Sequence, residues 1–299
     1  MGLTVFLQSV FAPGLAATLT MLLLAWRTDA AGPLARRSGA GAWIAGIFAG
    51  YWLSFGLPWP VESSVDWPIW AGVGAWLLAN FVPPAPDESD RKRQLSLAVL
   101  IAAGVAGYVL PMTKPLVPRF WESGDWYLVS AAAGLSAGFL VWCSLRAAER
   151  FTPARYLPSI VTWLGLASGL LMASGSARAA QTAGIGAAAA GALMLFSWLR
   201  PDGMWHRRVA VPVIGLLAVV AVQHYGFGDE VRAWPLFMLG VPGLLHLIWA
   251  RFAKPERAGW VDALVLCILS ALPLAWGWIA YAMNASDDPY GGYGSGYRS

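Results

Sequence analysis

One histidine in this sequence lies deep within an apolar stretch. His246 stands twelve residues beyond Trp234 and follows the pair Pro242-Gly243. At 1.5 Å per helical residue, that is about 18 Å along a helix. Proline withholds a backbone N–H and crowds the preceding turn, so the pair can open a helix and free carbonyls near the middle of a bilayer. Broken helices of this kind form solute sites in transporters, which makes Pro242, Gly243 and His246 candidate substrate-binding residues. The plainer account is a kinked helix whose neutral histidine bonds a neighbouring carbonyl, because no second charged group shares its depth.

A second pattern recurs in two polar breaks. Glu62-Ser63-Ser64-Val65-Asp66-Trp67 and Glu122-Ser123-Gly124-Asp125-Trp126 both place Glu-Ser, a short gap and Asp-Trp before an apolar run, with a looser echo at Asp229, Glu230 and Trp234. Carboxylates gathered on one face could hold a cation, or act as acid and base on lipid-linked material if they converge within roughly 5–10 Å. Glu62, Asp66, Glu122 and Asp125 are therefore outer-face candidates. Capping is the simpler account carried forward here: Asp66 or Asp125 caps the helix it precedes, Trp anchors it, and Pro68 suits a first turn. Asp262, in the first turn of the last run, reads as a charge at the positive end of a helix dipole.

Other chemistries lack their residue sets. His206, His224 and His246 fall at three different depths, so no haem ligation is expected. Cys143 and Cys267 have no CxxC spacing and read as packing residues. No glycine loop is placed to cradle phosphate, so neither a cofactor nor a metal is expected. The net charge of +4 is dispersed rather than gathered into a stripe, which argues against a nucleic-acid partner. Glycines recur four apart at Gly46/Gly50, Gly134/Gly138 and Gly165/Gly169, a spacing that lets membrane helices approach closely.

The elements carrying these residues follow from composition. Of 299 residues, 58% are hydrophobic and 12% charged, against about 25% charged in soluble domains. That excludes a water-soluble enzyme. Ten apolar runs are present, at 5–26, 41–57, 68–82, 95–112, 126–145, 157–174, 183–199, 209–223, 236–252 and 260–283. None alternates with period two, so a membrane barrel is excluded and helices remain. The expected fold is an all-α polytopic membrane bundle of about ten transmembrane helices: one domain, 1–283, followed by a disordered Gly/Tyr-rich tail, 284–299.

Basic residues set the orientation, since cytoplasmic loops collect Lys and Arg. Five alternate loops hold three each: Arg27, Arg36, Arg37; Arg91, Lys92, Arg93; Arg146, Arg150, Arg155; Arg200, Arg207, Arg208; and Arg251, Lys254, Arg257. The intervening set holds Lys114, Arg119, Arg178, Arg232 and Arg298, so fifteen face five and all twenty are counted. Both termini are thereby placed outside a bacterial-type inner (cytoplasmic) membrane. The first run lacks a basic leader and reads as retained. Trp59, Trp67, Trp121, Trp126 and Trp234 fall at outer ends, and Trp26, Trp142, Trp198, Trp249 and Trp260 at inner ends, as an aromatic belt would.

Ten helices split as five plus five, which would relate the halves as an inverted repeat, with the short third and eighth runs in corresponding places. The reading favoured is a permease or exporter of a small neutral or weakly charged solute. Its rivals are a non-catalytic scaffold or accessory subunit and an outer-face enzyme on lipid-linked substrate; the balance leans away from an enzyme. The lipid bilayer is the one partner implied, with other membrane subunits or a second copy left open.

Overall fold

The computed structural model describes residues 3–26, 35–57, 66–82, 91–113, 123–200, 205–227, 234–254 and 258–286. Among them all regular structure is helical. α1 (Leu3–Phe6), a π turn (Leu7–Phe11) and α2 (Ala12–Trp26) form one continuous rod. Then come α3 (Ala35–Phe55), α4 (Trp67–Phe81), α5 (Arg91–Thr113), α6 (Ser123–Ala148), α7 (Pro153–Ala173), α8 (Ala177–Leu199) and α9 (Ala210–Phe227). A 3-10 turn (Trp234–Leu239), α10 (Val241–Phe252) and α11 (Gly259–Ser286) complete the order.

Each of the ten apolar runs lies in a helical segment. Among the described residues, six helices are long and apolar enough to cross a membrane: Thr4–Leu24, Arg91–Met112, Trp126–Ala148, Pro153–Ala173, Ala177–Leu199 and Gly259–Met283. Ala210–Gln223 and Phe237–Phe252 are apolar but shorter. Large apolar side chains such as Leu23, Phe81, Leu128, Leu135 and Trp198 stand on the outside. Such a surface suits lipid and would aggregate in water. The chain is a multi-pass helical bundle of membrane type.

Small residues bring its helices together. On α3, a Cβ at Gly46 would come within 2.7 Å of the Pro13 carbonyl oxygen, and one at Gly50 within 2.6 Å of Ile185 Cγ2. Gly134 and Gly138 of α6 lie directly on Ala102 and Ala98 of α5. Gly165 and Gly169 behave otherwise, since neither has a non-local atom within 4 Å of its Cβ position. The expected packing role is corrected there. α7 buries the opposite stripe, Tyr156, Leu157, Ile160, Trp163, Leu164 and Ala167, and leaves both glycines outside. α7 stops at Ala173, and Gly175 just beyond it has a φ of 87° that suits a residue without Cβ. Ser176 N–H bonds the Leu171 carbonyl and Gly175 N–H that of Met172, a pairing that turns the chain back into α8.

Helix ends are tied to one another by polar contacts. Tyr108 donates to the Trp67 carbonyl at 2.6 Å, Trp126 Nε1 to that of Leu110 at 2.9 Å, and Arg178 pairs with Asp66 at 3.0 Å. Arg208 donates to the carbonyls of Ala79 and Val82, His206 Nε2 to those of Ala148 and Phe151, and Gln94 to Glu149. All of these join ends that the alternation of basic residues assigns to a common face. At the far end α11 runs to Ser286, so Asn284, Ala285 and Ser286 are helical and the boundary expected at 284 moves outward. The remainder of the tail, 287–299, lies outside the described residues.

Candidate functional site

The Pro242-Gly243 pair breaks the ninth apolar segment as its chemistry requires. The 3-10 turn ends at Leu239, Gly240 N–H bonds the Phe237 carbonyl, and α10 restarts with Pro242 in its first turn, where a missing N–H costs nothing. The Leu239 carbonyl is met from another helix, by Trp163 Nε1 at 2.8 Å. Gly243 sits where three groups converge. A Cβ there would stand 3.2 Å from Ser144 Oγ and 3.4 Å from both Leu140 Cδ2 and Trp163 Cη2.

His246 follows one turn later and is fully buried. Its Nε2 lies 2.8 Å from Ser270 Oγ. The serine hydroxyl has one proton, committed to the Leu266 carbonyl at 2.9 Å or that of Ser159 at 3.3 Å, so its oxygen accepts from His246 Nε2–H. The Ser270 hydroxyl is thus a partner of the histidine. Among the described residues neither Nδ1 of His246 nor Oγ of Ser144, both buried, has a hydrogen-bond partner. The ring stands nearly perpendicular to Trp163, at 5.9 Å and 88°, and edge-on to Tyr156 at 5.7 Å.

On the other side of Trp163 is a cavity of about 470 Å³ between α6, α9 and the break before α10. Trp163, Leu140, Gly240 and Leu239 belong to its wall, Ile214 and Leu217 of α9 form the back, and Ser136 contributes a hydroxyl. The remaining walls are almost entirely apolar. His246 does not reach this space; it supports Trp163 from behind, and Pro242 and Gly243 set the backbone that runs past it.

Of the four outer-face carboxylates, Asp66 is the one whose side chain falls among the described residues. Glu62 and Glu122 lie outside the described residues, and for Asp125 only the helical backbone in α6 is described. Asp66 precedes α4 but makes no side-chain cap bond, which corrects the capping expectation. Its Oδ1 instead accepts from Tyr51 Oη at 2.5 Å and from Arg178 at 3.0 Å. The Arg178 guanidinium also lies over the Phe55 ring at 4.7 Å. Asp66 is therefore a buried clasp between α3, α4 and α8.

Asp262 repeats this arrangement at the opposite end. It stands in the first turn of α11 and is fully buried, paired with Arg155 at 3.3 Å and accepting from Trp249 Nε1 at 3.3 Å. Each carboxylate thus has one arginine and one aromatic donor. None of these partners was singled out from the sequence, where Arg178 and Arg155 counted only toward orientation. The available signal was scarcity, because a buried acid in an apolar chain requires a cation and few stand near each helix start. Among the described residues no group of three or more His, Cys, Asp or Glu is arranged to hold a metal ion. The chain matches no protein-family model, no curated protein and no solved structure.

Proposed function

We propose that this protein is a permease or exporter of a small uncharged or weakly charged solute, threading an inner-type membrane ten times with both termini outside. The observation that carries the reading is the cavity of about 470 Å³ beside the broken ninth segment. Its size lies within the roughly 300–1,000 Å³ of sites that enclose small molecules. Ten passes are supported by the end-to-end contacts, which pair helix ends on a common face throughout. An inverted repeat is not needed: α11 lies along α7, while α6, its counterpart in the first half, packs on α5, α9 and α10. Trp163 forms the wall between the cavity and His246. Among the described residues the buried acids and bases with formal charge are Asp66, Asp262 and Arg208, and none of them lines the cavity, so strong coupling to protons or sodium has no support.

The test is purification in mild detergent, with mass spectrometry of whatever is retained. Wild-type protein is expected to carry a small molecule that an Ala221→Trp variant, filled at the back of the cavity, does not, and to move that molecule across proteoliposomes. A stoichiometric protein subunit with no retained molecule would give the function to a scaffold instead.

A further inference from the structure

The occupant of the cavity can be read from its shape and from where it opens. Along α6 the lining runs from Val129 to Leu140, which at 1.5 Å per residue is about 16 Å. A slot of that length with almost entirely apolar walls suits an extended alkyl chain. Water is a poor filler, since a buried water wants about 2–4 polar partners and the lining has Ser136 as its free hydroxyl.

The opening faces sideways. Ile214 and Leu217 of α9, at the back, are buried, whereas the rim is exposed and apolar: Phe139 at 51%, Phe237 at 70% and Leu244 at 37%. The rim is continuous with the exposed apolar side of α6, where Leu128 and Leu135 stand outward. In a bilayer that flank meets hydrocarbon, so whatever enters there is already dissolved in the membrane. We propose that the slot between α6, α9 and the 3-10 turn binds a single extended hydrocarbon chain of an amphiphile, admitted laterally from the bilayer. The break before α10 makes the slot, because a straight helix through Gly240 would carry side chains across it. This deepens the permease reading and rests on it only for the claim that the bound molecule is moved.

The experiment uses full-length protein in phosphatidylcholine vesicles containing palmitic acid with a mid-chain diazirine, irradiated and mapped by peptide mass spectrometry. Adducts are expected on the buried back wall, at Ile214 and Leu217, which ordinary lipid contact does not reach. They should be lost in Ala221→Trp and equally in Ser136→Trp, which sets an indole into the slot from the α6 side. Adducts confined to outward-facing residues of all the helices would overturn the proposal. So would back-wall adducts that persist in Ser136→Trp, or a rim sealed by a second copy, seen as a chemically cross-linked dimer without back-wall adducts. The two readings fail separately: back-wall adducts without solute flux end the permease reading alone, and flux that Ala221→Trp abolishes without any back-wall adduct ends lateral binding alone.

Discussion

Trp163 hands its indole N–H to the carbonyl oxygen of Leu239, 2.8 Å away and 76 residues along the chain. The bond closes the gap left where the 3-10 turn gives way to α10, and it fixes the ring that divides the apolar slot from His246. Trp163→Phe keeps an aromatic surface but leaves that carbonyl unmet in a dry environment. The expected loss is about 1–3 kcal/mol, the cost of an unsatisfied buried group. It should be read as a lowered thermal unfolding midpoint in detergent, and an unchanged midpoint would show that the carbonyl finds another donor.

Support from behind is the role left for His246. Replacing it by Ala removes the ring against which Trp163 stands at 5.9 Å, and solute flux should fall. His246→Leu restores bulk without restoring the imidazole nitrogens, and flux should recover. Flux absent in both variants, with the fold retained, would instead give the imidazole a polar role in recognition.

The Asp66 clasp predicts a coupling energy. Removing the partner of a buried carboxylate costs about 3–5 kcal/mol when the pair is fully enclosed. Arg178 is 34% exposed, so solvent screens part of this and about 1–2 kcal/mol is expected for Arg178→Met. Asp66→Asn combined with Arg178→Met should recover part of that loss, because the orphaned charge disappears. Additive losses in a double-mutant cycle would mean that Tyr51 alone satisfies the carboxylate.

Two glycine pairs with equal spacing should respond in opposite ways. A Cβ at Gly138 would press to 2.5 Å from the Ala98 carbonyl oxygen, whereas Gly169 has open space. Gly138→Leu is expected to abolish folding, measured as loss of the monodisperse peak on size exclusion. Gly169→Leu should leave that peak in place.

That contrast also marks where the sequence stops being informative. Hydropathy anticipated an all-helical chain, because lipid and backbone hydrogen bonding leave helices as the only response to long apolar runs. The break at Pro242 was legible too, since proline chemistry is local. Which side of a helix meets a neighbour was not: Gly165 and Gly169 have the same spacing as Gly134 and Gly138, and only the tertiary arrangement separates them. The partners of Asp66 were likewise hidden. Tyr51 precedes it by 15 residues and Arg178 follows it by 112, and nothing local to any of the three announces the others. The slot was invisible for the same reason, being space enclosed by three distant segments.

His206 and Arg208, two residues apart, hold the Ala148 carbonyl of α6 and the Ala79 carbonyl of α4 just ahead of α9. α9 is therefore pinned at its root by both of those helices, and a tilt there would have to unfasten two neighbours at once. Whatever swing the back wall of the slot has must grow toward the opposite tip, like a rod clamped in a vice, so the space it borders widens most at the end farthest from those two side chains.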